Sequence, residues 1–263
     1  MRADQLLVHR GLAASRSQAQ RLIDSGVRKL TREGWKSVAK SDELFDDVEL
    51  ELLNASEARY VSRGGLKLEG ALKLSSISVQ GKLCLDVGQS TGGFTDCLLQ
   101  VGAAFVVGVD VGHAQLHQKL REDDRVMCLE KINARDLNAP DLIALCADSM
   151  LATCQFDLKK HAFQLLVGDV SFISQTLLVP RFSSLLEANA DVVMLVKPQF
   201  ELQPNDLAKG GIVKDASLYE KVEQRIRASY AQANLVVKNY FESPISGGDG
   251  NREFFVHAMK ASS

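Results

Sequence analysis

Four charged residues stand where apolar runs end. Leu83-Cys84-Leu85 leads into Asp86, Phe105 to Val109 into Asp110, Phe163 to Gly168 into Asp169, and Val192 to Val196 into Lys197. Short apolar runs bounded by turn residues read as buried parallel strands. In sheets built from such strands, ligands bind beyond the carboxyl ends. The four side chains therefore belong to one crevice. Asp110 follows Asp86 at the end of the next strand, where a carboxylate accepts hydrogen bonds from both hydroxyls of a ribose. That geometry serves either NAD or S-adenosylmethionine.

The turn after Asp86 helps to choose. Gly88-Gln89-Ser90-Thr91-Gly92-Gly93-Phe94 carries its glycines at spacings that differ from the Gly-x-Gly-x-x-Gly of a dinucleotide loop. An acid two residues before the first glycine suits the cationic methionine end of S-adenosylmethionine and repels a pyrophosphate. The loop thus favours S-adenosylmethionine, with Asp86, Gly88, Ser90, Thr91, Gly92, Gly93 and Phe94 at the donor, Asp110 at its ribose and Asn133 at its adenine. An NAD oxidoreductase is the disfavoured alternative. Lys197, beside Asp169, is either half of a structural ion pair or a proton acceptor. A free lysine amine titrates near ~10.4, so a base there needs desolvation or a cationic neighbour. Lys67, which follows the paired glycines Gly64-Gly65, can supply that neighbour; those glycines also suit a plain domain-joining turn.

These residues require an alternating frame. The pattern predicts strands at 83–87, 105–110, 125–129, 163–169, 191–197, 235–241 and 253–258. Helices are expected after the glycine loop and at 113–121, 173–187 and 216–233. Strand–helix alternation makes a doubly wound α/β sheet, and two consecutive strands after the final helix place an antiparallel strand last. The predicted fold is a seven-stranded Rossmann-like methyltransferase domain with a small α+β domain before it. The expected division is 1–58 for the small domain, 59–63 for a linker and 64–263 for the large one.

The chain of 263 residues carries a formal net charge of −2, which by itself advertises no nucleic acid. Its distribution does. Residues 1–40 hold nine basic side chains against three acids, whereas residues 41–60 hold seven acids and only Arg59. Ser15 or Ser17 can cap a helix ending at Gly26, and Arg16 and Arg21 project from it, with Arg28, Lys29, Arg32 and Lys36 just beyond. Such a face suits phosphate contact; the alternative is a solvated charged surface. The five cysteines lack a Cys-x-x-Cys pair and read as reduced core residues of a cytoplasmic protein, with no zinc site. No signal peptide and no run of ~20 apolar residues is seen.

The stretches Leu6-Leu7-Val8-x-Arg10-Gly11-Leu12 and Ser15-Arg16-x-x-Ala19-x-x-Leu22-Ile23-x-x-Gly26 resemble the S-four RNA-binding module, although Arg28-Lys29-Leu30-Thr31 replaces its usual Val-Asn-Gly turn. Further on, Ser62-Arg63-Gly64-Gly65-x-Lys67, the Asp86–Asp96 loop, Asp169-Val170-Ser171-Phe172-Ile173-Ser174, Val196-Lys197-Pro198-Gln199-Phe200-Glu201, Lys209-Gly210-Gly211-x-Val213 and Ser243–Phe254 resemble, in order, the hemolysin A-like (TlyA) family. That family joins an S-four module to an FtsJ-like ribose 2′-O-methyltransferase. The resemblance implies a catalytic tetrad at Lys67, Asp169, Lys197 and Glu253. It also implies S-adenosylmethionine as methyl donor, no metal, and a cytidine 2′-hydroxyl of ribosomal RNA, free or in a ribosomal subunit, as acceptor. RNA contacts are expected at Arg10, Arg16, Arg21, Arg28, Lys29 and Arg63, with the chain acting as a monomer away from membranes. Gln89 replaces a small residue in the loop, Gly168 replaces a larger one before Asp169, and residues 138–160 form a longer connection than the family's. An RNA-binding protein with lost activity and a membrane-active hemolysin are the rival readings. All four tetrad residues are present, and no convincing membrane-active segment is.

Overall fold

The computed structural model describes residues 1–54, 58–148, 162–245, 247 and 250–262. Of the long 138–160 connection, residues 149–160 lie outside the described set, with Cys154 and the side chain of Cys146. The chain divides into two compact units, Met1–Leu66 and Lys67–Ser263.

The first unit holds helices α1 (Ala3–His9) and α2 (Arg16–Gly26) and strands β1 (Val27–Thr31), β2 (Gly34–Ser37) and β3 (Leu50–Leu52). Ser15 caps α2 by accepting from Gln18 N at 3.3 Å, satisfying one of the orphan donors at a helix start. Leu6, Leu7, Ala19, Leu22 and Val27 form its core. The strands make an antiparallel sheet in the order β2-β1-β3.

In the second unit, α3 (Gly64–Leu74, begun in the preceding residues) leads to β4 (Leu83–Val87), α4 (Gly93–Gln100), β5 (Phe105–Asp110), α5 (Gln118–Arg121), β6 (Val126–Glu130) and α6 (Ala139–Asp148). Then follow β7 (Phe163–Gly168), α7 (Val179–Leu185), β8 (Leu186–Val196), α8 (Pro198–Glu201), α9 (Ser217–Gln232), β9 (Leu235–Glu242) and β10 (Phe254–Lys260). The seven strands run in the order β6-β5-β4-β7-β8-β10-β9, with β10 antiparallel to both neighbours. This is the expected doubly wound sheet with its final strand reversed. β4 is buried at every position, as a strand covered on both faces must be.

Two expected helices are shorter than their patterns suggest. Residues 113–117 stay outside α5 because Ala114, at φ 56°, turns its N–H onto Glu130 Oε1 at 2.8 Å instead of into a helical ladder. The 173–187 stretch breaks into a 3-10 turn at Gln175–Leu177 and then α7, whose N-terminal Pro180 cannot donate to a preceding turn. The chain from Leu186 then joins β8, making that strand longer at its start than expected.

Candidate active site

The parallel strands deliver their carboxyl ends to one edge, at roughly 5 Å per strand. Asp110 ends β5, Asp86 is the penultimate residue of β4, Asp169 follows β7, and Lys197 follows β8. β10 runs the opposite way, so its first residue lies at that same edge. Phe254 pairs with Val196, which sets Glu253 beside Lys197 one step further out. All four tetrad positions thus belong to neighbouring parts of the second unit, though Lys67 comes from α3 rather than from a strand.

They form two ion pairs. Lys197 Nζ stands 2.5 Å from Asp169 Oδ1 and donates to Ser171 Oγ at 2.8 Å. Lys67 Nζ donates to Glu253 Oε2 at 2.5 Å, and both side chains are buried. Such a pair is geometrically rigid, because either partner left alone would be an uncompensated buried charge. Asn251 steadies the approach to Glu253. It accepts from Val213 N at 3.0 Å and donates to Gly211 O at 2.9 Å, tying the Lys209–Val213 loop to the start of β10.

Beside Asp169 opens a cleft of about 550 Å³ lined by Gly88, Ser90, Asp110, Asn133, Ser171 and Phe172, among others. Asp110 is fixed at its lip: Oδ2 accepts from Ser90 N and Oδ1 from Gly112 N, both at 2.7 Å. Gly88 has φ +85°, and a Cβ there would come within 2.8 Å of the Asp169 carbonyl oxygen. The close approach of the two loops that frame the cleft requires glycine at this point.

The remaining loop residues are placed differently. Gly92 is pressed by Leu120, whose Cδ1 would lie 2.3 Å from an added Cβ. Phe94 is buried and stacks on Phe255 at 6.3 Å. Thr91, Gly92, Gly93 and Phe94 are absent from the cleft lining, so they shape the loop from behind. Asp86 is fully buried: Oδ2 accepts from Thr95 Oγ1 at 2.7 Å, and Gln89 Nε2 donates to the same hydroxyl at 2.9 Å. Asp86 Oδ1 and Gln89 Oε1 are buried without a hydrogen-bond partner. Burial pushes the Asp86 carboxyl up to about 7, with the Thr95 hydrogen bond opposing.

Sequence reasoning missed Thr95, Gln89 as a buried contact of that hydroxyl, and Ser171. It also left without a role the aromatic pair Phe172–Phe200, whose rings lie 5.1 Å apart at a tilt of 46°. Phe172 is 90% exposed and held at φ 62°. Core packing does not account for an exposed phenyl held on a left-handed backbone at the wall of the cleft.

In the first unit, the expected phosphate contacts are largely engaged with the protein itself. Arg16 pairs with the buried Asp4 at 3.1 Å. Arg10 donates to Val48 O at 2.6 Å and also to Asp46 O. Arg28 pairs with Glu51 and lies 5.9 Å from the Trp35 ring centroid, and Lys29 pairs with Asp42 at 2.8 Å. Arg63 Nε is buried with no hydrogen-bond partner. The acids of the 41–60 stretch fold back onto the basic segment, so its charge is partly neutralised in place. Arg32, in the turn between β1 and β2, is exposed.

The FtsJ-like methyltransferase family model matches residues 60–260, which contain every element of this site. The chain belongs to the FtsJ-like methyltransferase family. Family members of similar sequence include the 16S/23S rRNA (cytidine-2′-O)-methyltransferase TlyA of Mycobacterium tuberculosis, 39% identical over 255 residues, which covers 97% of this chain and 88% of that one. A candidate rRNA methyltransferase of Bacillus subtilis, YqxC, is 41% identical over 259 residues, covering 97% and 84%. The solved structure of a candidate hemolysin from Streptococcus thermophilus superposes with a TM-score of 0.72 at 38% identity, over 100% of this chain and 89% of that one.

The site fits the methyl donor used by such enzymes. Gly88, Ser90, Asp110 and Asn133 line the cleft, and Asp86, whose Oδ1 is buried without a hydrogen-bond partner, lies behind that lining. Among the described residues there is no His/Cys/Asp/Glu cluster able to hold a metal, and no helix is long and apolar enough to cross a membrane.

Proposed function

We propose that this protein transfers a methyl group from S-adenosylmethionine to the 2′-hydroxyl of a cytidine ribose in ribosomal RNA, acting in the cytoplasm as a monomer. The observation that carries the reading is Lys197, whose Nζ is held by Asp169 and Ser171, two residues of the cleft wall. The names borne by relatives of about 40% identity support the substrate class. S-adenosylmethionine supplies an electrophilic methyl on a cationic sulfur. Asp110, Gly88, Ser90, Asn133 and Asp86 bind and orient it.

A ribose hydroxyl is a weak nucleophile, so the protein must align its oxygen and take one proton. Lys197 must first release its resting proton to solvent; its neutral Nζ then accepts the hydroxyl proton as the methyl is transferred, and Asp169 and Ser171 hold the resulting ammonium. Glu253 fixes Lys67 alongside. The exposed Phe172, set against the half-buried Phe200, offers a face on which a base turned out of its helix can stack, at the cost of a few kcal/mol of lost stacking in the RNA. The first unit serves as an S-four-like RNA grip, with residues 59–63 as its connection to the methyltransferase unit. Arg10, Arg16, Arg21, Arg28, Lys29 and Arg63 contribute to its positive field, and Arg32 extends it.

The test is transfer of labelled methyl from S-adenosylmethionine to unmodified ribosomal subunits, to naked rRNA and to small alcohols, followed by ribose-methylation mapping. Label at a cytidine 2′-oxygen is expected. Label only on small alcohols, or none on any RNA, would overturn the proposal.

A further inference from the structure

The loop that carries Asp169, Ser171 and Phe172 and the segment that carries Lys197 and Phe200 belong to different strands. A buried carboxylate joins them. Glu201, at the end of α8 and 3% exposed, accepts from Ser174 Oγ at 2.5 Å with Oε2 and from Gln175 N at 2.8 Å with Oε1. Its own carbonyl accepts from Arg225 Nη1 of α9 at 2.6 Å. Gln175 extends the joint, donating to Leu195 O at 3.2 Å and accepting from Tyr230 OH at 2.9 Å. Burial raises the Glu201 carboxyl and the two donated hydrogen bonds oppose that rise. A buried carboxylate is a costly way to fill space; here it offers two oxygens to two donors from a single neighbouring loop.

We infer that Glu201 is a positioning residue that locks the Asp169–Gln175 loop to the Lys197–Glu201 segment, so that Asp169 and Ser171 stay on Lys197 and Phe172 stays on Phe200. The inference rests on the proposed role of Lys197. The lever is short. Glu201 follows Lys197 by four positions and Ser174 follows Ser171 by three, with Phe200 N donating to Lys197 O at 2.9 Å within the first segment. Without the carboxylate, Ser174 loses its described tie to α8 and the loop keeps only the Gln175 bonds to Leu195 and Tyr230 and the Phe172–Phe200 contact, a looser hold on Asp169 and Ser171. A displacement of about 1 Å at a reacting group can cost on the order of 100-fold in rate.

The experiment compares Glu201→Ala, Glu201→Gln and Ser174→Ala with the parent, using labelled S-adenosylmethionine and unmodified ribosomal subunits. Each variant is assayed at a temperature where circular dichroism shows it folded. Glu201→Ala is expected to lower kcat about 100-fold while the Kd for S-adenosylmethionine, read by calorimetry, stays within about twofold, because the assigned donor contacts Ser90, Asp110 and Asn133 lie outside the released loop. Glu201→Gln, which keeps one acceptor, should recover to within about tenfold of the parent. Introduced into Ser171→Ala, Glu201→Ala should cost less than it does in the parent, because both act on the same amine.

An unchanged kcat in folded Glu201→Ala, a parallel loss of donor binding, or fully additive losses with Ser171→Ala would each overturn the inference. Should Glu201→Ala fail to fold, Ser174→Ala carries the test, with kcat expected about tenfold lower and donor affinity unchanged. Lys197→Ala, run alongside, reads the base assignment separately. Activity kept in Lys197→Ala overturns that assignment, whereas activity lost there and kept in Glu201→Ala overturns the joint alone.

Discussion

Phe254 pairs with Val196 across the antiparallel β8–β10 junction, and Glu253 and Lys197 each stand one residue beyond that pair on the same edge. Reversal of a single strand therefore brings a residue from near position 250 to the crevice that the parallel strands build. If Lys197 takes the proton, Lys197→Ala should abolish methyl transfer and leave donor affinity within about twofold, because no donor contact assigned above involves this side chain. Single-turnover methyl transfer together with calorimetric Kd values measures both.

The Lys67–Glu253 pair predicts a stability effect. Glu253→Ala leaves the buried Lys67 ammonium without its partner, and breaking a buried pair from one side costs about 3 kcal/mol or more. Chemical denaturation should show the loss, and Glu253→Gln should show less of it. Equal stability of all three proteins would contradict the burial seen here.

Gly88 tests the joining of the donor loop to the Asp169 loop. Gly88→Ala places a Cβ within 2.8 Å of a backbone oxygen at φ +85°. Strain of this kind costs about 1–3 kcal/mol, and relief by moving the Asp169 carbonyl would disturb the proton acceptor's partner. A lower melting temperature together with reduced kcat is expected. Gly210→Ala carries the same left-handed strain at φ +84° with open space around the added methyl, so it should lower the melting temperature and leave kcat near the parent value.

Asp86 sets a pH dependence. Its carboxyl is raised to about 7 by burial, so the folded protein holds a proton there that the unfolded chain releases near pH ~4. This contribution to stability is present at low pH and is lost as pH rises through about 7. A cationic amino-acid end of the donor needs the ionised form. Affinity for S-adenosylmethionine should therefore rise between roughly pH 6 and 8. Calorimetry across that range should show the slope in the parent and its absence in Asp86→Asn.

RNA affinity offers a prediction for the first unit. Arg16 is bound to Asp4, whose carboxyl is held well below the usual carboxylate range by Arg2, Gln20 and Arg16. Removing Arg16 would mix folding with binding. Arg32→Ala is the cleaner probe and should weaken subunit binding while lowering the log–log salt slope by about 1. An unchanged slope would remove Arg32 from the phosphate contacts.

The frame of this site was legible because its signals are local. Apolar runs ending in Asp86, Asp110, Asp169 and Lys197 mark strand ends, and strand ends share an edge. What escaped notice depends on pairings between distant residues. Glu201 lies 27 positions from Ser174, and its motif position says nothing of a buried carboxylate. The alternation of basic and acidic segments in residues 1–60 was visible. That β1 would set Arg28 opposite Glu51, and so neutralise part of the basic face, depended on sheet register. Gly92 and Phe94 sit in a loop whose composition suggests ligand contact throughout, whereas packing against Leu120 and Phe255 accounts for them.

The order β8-β10-β9 has a consequence for assembly. β9 precedes β10 in the chain yet touches the sheet only through it. β9 therefore joins the sheet only together with β10, and the docking of β10 on β8 secures both strands. That same docking delivers Glu253 to Lys67. Completion of the hydrogen-bonded sheet and arrival of Glu253 at Lys67 are one event, so a chain interrupted before residue 253 lacks both the closing strand and the partner of the buried lysine.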